Sequence, residues 1–256
     1  VTRAVCVLAL VLCGQAVAAD KFAVMRHSPD GNGYVLVEEQ EADWVSAQAG
    51  AIEHYDNFRG TESIPPGNLV IHGDVRMNGD EYGDHMVLSA YHEGIVDSFG
   101  HSYSNNAPSG NLTQVDVIWR WYDASDMSLL GSDHAIIRLL FPFGPGERAR
   151  VRQDEGFLLH LNIPLAPELY FTTQYLGAQG ISYQDIGILY GSPINTGSSP
   201  RMARDFTTGA EFNPGGDPSY NLVNYMKGYP IPPPGTSVLV LCEIAALAAG
   251  RSRRRV

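Results

Sequence analysis

Cysteine is almost missing from this 256-residue chain, and its placement decides what that means. Cys6 and Cys13 lie in an N-terminal apolar run and Cys242 in a C-terminal one, so residues 20–234 hold none. That stretch can form no disulfide, offers no thiol nucleophile and has no cysteine zinc site. At roughly 200 residues it is long enough to rely on a hydrophobic core, since the buried share of surface grows with chain length. Basic charge is also scarce. Five of the 17 Lys and Arg (Arg3, Arg251, Arg253, Arg254, Arg255) sit in the terminal segments. Residues 20–234 therefore carry 12 bases against 27 acids, a net charge of −15. Such a surface repels phosphate backbones, which argues against nucleic acid as a partner.

Several catalytic signatures are lacking as well. No G-x-S-x-G elbow occurs, so a Ser/His/Asp hydrolase has no support, and neither HxH nor HExxH is present among the eight histidines. The paired carboxylates of a polysaccharide-active hydrolase or lyase leave no spacing signature, because their separation is a property of the fold. No helix of three turns with amphipathic spacing and no solenoid or propeller repeat is visible between the termini.

What is present is a β rhythm. From Tyr55 to about Lys227, short apolar or alternating runs are punctuated by Gly, Pro, Asn, Asp and Ser. Strands are expected at 68–72, 85–90, 94–99, 114–122, 134–141, 156–163, 169–175 and 186–190. Gln114 to Tyr122 is the most legible: Val115, Val117, Trp119 and Trp121 share one face under the two-residue period and should point into the core. The expected fold is all-β, an antiparallel β-sandwich of jelly-roll or immunoglobulin-like type, flanked by an N-terminal signal helix and a C-terminal hydrophobic helix. Four segments follow: a signal peptide over 1–19, a weakly packed leader over 20–46 with an edge strand at Tyr34 to Val37, the sandwich over 47–228 and a tail over 229–256.

The ends read as addresses. Arg3 precedes the apolar run Ala4 to Gly14, too short to span a bilayer but suited to a signal h-region, and small residues then place cleavage at Ala18 or Ala19. At the other end Pro232-Pro233-Pro234-Gly235 precedes an apolar stretch, Ser237 to Gly250, and the basic cluster Arg251, Arg253, Arg254 and Arg255. An apolar stretch followed by arginines suits a stop in a membrane with positive charge inside. In order and content this tail resembles the PEP-CTERM sorting signal of exosortase-processed bacterial envelope proteins. The resemblance implies recognition of the proline triplet by an exosortase-like membrane protease and delivery to the cell surface or exopolysaccharide matrix. Pro233 stands where that family commonly has Glu, and Glu243 interrupts the apolar stretch. Tyr55-Asp56-Asn57-Phe58, Ile186-Gly187-Ile188-Leu189-Tyr190 with Gly197-Ser198-Ser199, and Tyr220-Asn221-Leu222 are similar to parts of the secreted sandwich domains that precede such tails in planctomycete-type proteins.

Two local constellations bear on binding. The glycine-punctuated acidic loop Asn78 to Asp84 offers Asp80, Glu81 and Asp84 as hard oxygen ligands for Ca²⁺, with a solvated hairpin turn as the alternative. Aromatics such as Trp44, Tyr91, Tyr103 and Tyr220 could stack on sugars or pack in the core. His72-Gly73-Asp74 and His92-Glu93 are weaker metal candidates, and Asn111-Leu112-Thr113 matches a glycosylation sequon. The reading is a secreted structural protein of the cell surface or extracellular matrix, not an enzyme, with no cofactor beyond the candidate Ca²⁺. The alternatives are a carbohydrate-binding module and a polysaccharide-active enzyme.

Overall fold

A computed structural model describes residues 21–27, 34–39, 52–57, 70–89, 91–153, 158, 161–192, 194 and 196–230. The signal segment, residues 231–256 of the tail, Trp44 and His160 lie outside the described residues, while Tyr229 and Pro230, expected in the tail, complete the last strand of the sheet. The described residues form strands and two 3-10 turns, with no α-helix. The strands are β1 (Lys21–His27), β2 (Tyr34–Glu39), β3 (Ile52–Asp56), β4 (Val70–Arg76), β5 (Glu81–Val87), β6 (Gly94–Asn105), β7 (Leu112–Asp123) and β8 (Leu129–Phe143). They continue with β9 (Arg148–Gln153), β10 (Glu168–Gln179), β11 (Ile186–Ser192), β12 (Ala203–Asp205), β13 (Glu211–Phe212), β14 (Asn221–Leu222) and β15 (Tyr225–Pro230). The all-β expectation holds.

Hydrogen bonds link the strands in the order β13-β12-β5-β10-β7-β8-β2-β1-β9-β6-β11-β14, with β15 between β3 and β6, and β4 on β11. Along that path β7 and β6 are five steps apart, which in a flat sheet would separate them by roughly 24 Å. Yet Phe99 of β6 lies 4.8 Å from Trp119 and 5.2 Å from Trp121 of β7, ring centre to ring centre, and 5.0 Å from Phe171 of β10. The sheet is therefore rolled over, so that β6 faces β7 and β10 across an aromatic core. Val115, Val117, Trp119 and Trp121 are all fully buried in it, as their alternation predicts. The partners Asp116, Ile118, Arg120 and Tyr122 are half-buried on the outer face.

The leader differs from expectation. β1 and β2 form an antiparallel hairpin that enters the middle of the sheet, β1 pairing parallel with β9 and β2 parallel with β8. Ala23, Val24 and Met25 are fully buried. β8 and β9 are consecutive strands joined through Gly144 to Glu147 and would otherwise pair with each other. The inserted hairpin parts them, and this makes the sheet mixed rather than purely antiparallel. The acidic run after Val37 hides this in the sequence, because a strand covered on both sides is recognised by apolar continuity.

Residues 156–163 are not a strand where they are described. Leu158 is in a turn, the Leu161 N–H donates to Leu158 O at 2.9 Å, and Asn162 has φ 50° shortly before Pro164. Their apolar side chains serve instead as a plug. Val96 donates to Ile163 O at 2.8 Å and Leu165 N to Gly94 O at 2.9 Å, while Leu158, Ile163 and Leu165 are buried.

Candidate functional site: a buried carboxyl under a glycine clasp

The rolled sheet is stitched where the edges of β3 and β5 approach. Asp56 and Thr196 exchange both backbone bonds, at 3.0 and 3.2 Å, and Val87 and Ser198 do the same at 2.8 and 3.1 Å. Thr196–Gly197–Ser198 thus bridges two strands, with Gly197 between them at φ +77°. A Cβ there would stand 2.7 Å from Val87 O and 2.8 Å from His54 O. Only glycine meets both demands, the positive φ and the close approach of two carbonyls.

Beneath this clasp lies Asp84, fully buried. Its Oδ1 accepts from Ser199 Oγ at 3.1 Å and from His85 N at 3.1 Å. The Tyr55 hydroxyl and the Leu222 backbone N–H also face the carboxyl. Burial pushes Asp84 up from 3.8 to about 7, against the opposing pull of these donors. Burial likewise raises Tyr55, and the Asp84 charge adds to that. Asn57 ties the same region to the last strands, donating to Leu222 O at 2.5 Å and accepting from Asn224 N at 2.6 Å. The segments Tyr55 to Asn57, Gly197 to Ser199 and Asn221 to Leu222, far apart in sequence, therefore meet around one acid. Chemically the site favours the neutral carboxyl over the carboxylate, since burial outweighs the donors around it.

Asp80, Glu81 and Asp84 of the acidic loop do not converge on one point among the described residues. Glu81 and Asp84 are three apart on β5, so the two-residue alternation sends them to opposite faces of the sheet. On the outer face Glu81 accepts from Arg120 Nη1 at 2.5 Å, Tyr122 OH at 3.1 Å and Thr172 Oγ1 at 2.5 Å. Asp80 stays in the turn, its N–H donating to Met77 O at 2.9 Å. That turn, with Asn78 at φ 54° and Gly79 at φ 88°, is not a hairpin either. It joins β4, which pairs with β11, to β5, which pairs with β10 and β12.

The histidines are scattered. His72 bonds Ser192 Oγ at 2.9 Å, His85 pairs with Glu168 at 3.2 Å and His134 with Asp116 at 2.6 Å. The His54 and His92 rings lie 4.8 Å apart, and burial lowers His54. Asp74, two residues from His72, accepts from Asn106 Nδ2 at 2.8 Å and faces Arg148. Among the described residues no three His, Cys, Asp or Glu converge on a common point. His54, His85 and His101 are buried, and His101 is the one set among aromatic rings of the core. It is fully buried between Phe99, Tyr103 and Trp119, neither ring nitrogen has a hydrogen-bond partner among the described residues, and desolvation lowers it to about 3.

Of the aromatics offered for sugar stacking, Tyr103 is fully buried and Tyr91 is 41 % exposed at the β6 entrance. Tyr220 stacks on the exposed His72 ring at 4.0 Å and beside Tyr190 at 5.6 Å. Sequence reasoning did not single out Asp84 as a buried acid, nor Gly197 as a clasp. The nearest signal was the turn-rich Gly197-Ser198-Ser199 after the β11 run. No protein-family model and no curated protein matches this chain.

Proposed function

We propose that this is a secreted structural protein of the cell surface or extracellular matrix, sorted through its tail by an exosortase-like membrane protease. Its working part is the cysteine-free sandwich, of jelly-roll or immunoglobulin-like type with one inserted hairpin. What carries the reading is the order of the tail, Pro232 to Pro234, then the apolar Ser237 to Gly250, then Arg251, Arg253, Arg254 and Arg255. The processing points read from the sequence, at Ala18 or Ala19 and at Pro232, lie outside the paired spans Lys21–His27 and Tyr225–Pro230. Cutting at either leaves those pairings intact. The apolar stretch and its arginines supply the membrane stop, and the acidic surface suits contact with neutral rather than anionic polysaccharide. Deleting Pro232 to Val256 is expected to shift the protein from the cell-associated fraction to the medium. Equal cell association of the truncated and full chains, measured by fractionation and immunoblot, would sink the sorting assignment.

A second reading, carbohydrate binding, is favoured by the exposed His72 ring, which stacks on the half-buried Tyr220, since ring faces stack on sugars. A glycan array is the measurement that checks it. Binding that disappears in Tyr220→Ala would replace the purely structural role with a binding one. Asp80, Glu81 and Asp84 do not converge on one point among the described residues, so the proposed binding is not routed through calcium.

A further inference from the structure

β15 ends at one rim of the sheet, and that rim presents several exposed apolar and aromatic side chains. β15 runs antiparallel between β3 and β6, so its last residues stand beside the first residues of both: Gly228 opposite Ile52, Tyr229 opposite Ile95, Pro230 opposite Gly94. The plug segment joins the same rim through Leu165 N to Gly94 O, and through the bridge between Pro164 and Ile95. Around this exit Ile52 is 40 %, Tyr91 41 % and Tyr229 40 % exposed, and Pro164 is also exposed. The Tyr91 hydroxyl donates to Leu165 O at 3.4 Å, which fixes the ring at the rim.

We infer that this rim rests on the lipid–water interface while the tail is embedded, making it the membrane-facing surface of the domain. The inference builds on the sorting-tail reading above. Between Pro230 and the apolar stretch starting at Ser237 only Ile231 to Thr236 intervene. Six residues reach at most roughly 20 Å when fully extended. A tail held in the bilayer therefore keeps the exit rim within roughly 20 Å of the membrane surface, close enough for its exposed side chains to reach the headgroups. Tyrosine suits that position, with its ring among the upper acyl carbons and its hydroxyl toward water. The exposed Glu93 at the rim selects a zwitterionic surface over an anionic one. The opposite rim lies at the far end of β6, beyond Asn105, where Pro108 and Ser109 are exposed. Twelve residues of strand separate the two.

The test uses the mature chain with its tail, in phosphatidylcholine vesicles. Cys242→Ser removes the last cysteine, and Glu93→Cys, Pro164→Cys or Ser109→Cys then takes one nitroxide label, leaving Tyr91 and Tyr229 in place. Co-flotation with vesicles, with labels at 93 and 164 several-fold less accessible to a water-soluble relaxant than the label at 109, is the expected result. Adding Tyr91→Ser and Tyr229→Ser should then bring the accessibility at 93 and 164 back toward that at 109. A chain that floats with vesicles but shows equal accessibility at all three positions overturns the rim assignment and leaves the sorting tail standing. Failure to float overturns both.

Discussion

Gly197→Ala should destabilise the mature protein by roughly 3 kcal/mol, while Gly146→Ala costs only about 1 kcal/mol. The two glycines have nearly the same backbone, φ +77° and φ +78°, so the left-handed penalty for a side chain is common to both. They differ in space. Nothing lies within 4 Å of a Cβ at Gly146, whereas at Gly197 it meets two backbone carbonyls under 3.0 Å. Those carbonyls belong to His54 and Val87, next to or within the bonds that stitch β3 to β5, so neither can retreat without opening the seam. The difference between the variants isolates the clasp from the intrinsic cost of positive φ. Urea unfolding of the two mature variants measures it, and equal midpoints would show that the seam contributes nothing.

Asp84→Asn is expected to become more stable relative to the natural protein as pH rises, by an amount of the order of 4 kcal/mol above pH 7. The native state raises Asp84 from 3.8 to about 7, so between those values the folded protein binds more protons than the unfolded chain. Its stability contribution is full below 3.8 and is lost as pH climbs, at ~1.4 kcal/mol per pH unit. The amide keeps an acceptor for Ser199 and has no charge to bury. His101 acts in the opposite sense. Lowered from 6.5 to about 3, it makes the unfolded chain the better proton binder in that interval, so its contribution is lost as pH falls. Between about 4 and 6.5 the two slopes oppose each other. His101→Phe should consequently flatten the acid limb of the stability profile, while Asp84→Asn flattens the limb approaching neutrality. Chemical denaturation at half-unit pH steps reads both, and taking differences between variants cancels the many other carboxylates. A pH-independent gap between Asp84→Asn and the natural protein would mean that the carboxyl is charged in the folded state.

Much of the fold is legible residue by residue where one face is wet. Val115, Val117, Trp119 and Trp121 alternate with polar or half-buried partners, and the period alone places them in the core. In β9 the period also places Ala149 and Val151 in the core, where they are fully buried, but it does not foretell that the alternate Arg150 is only 4 % exposed. It fails for 156–163, where an apolar run implies a strand but Asn162 and Pro164 break the ladder. The acidic loop shows the converse error. Asp80, Glu81 and Asp84 are close in sequence, but the pleat sends the last two to opposite faces, where one meets an arginine and the other a hydrophobic interior.

Local composition is enough to establish an all-β domain without disulfides, strongly acidic, bounded by two segments that read as addresses. These properties depend on residue type and short-range period, and the physics behind them acts within a few residues. Which edges meet depended on the rolled sheet. Only that closure brings Tyr55, Asp84, Gly197 and Leu222 together, forces glycine at 197, and leaves an acid buried among hydroxyls. Burial and carbonyl spacing are set by contacts between residues more than a hundred positions apart, and no local pattern in the chain encodes them.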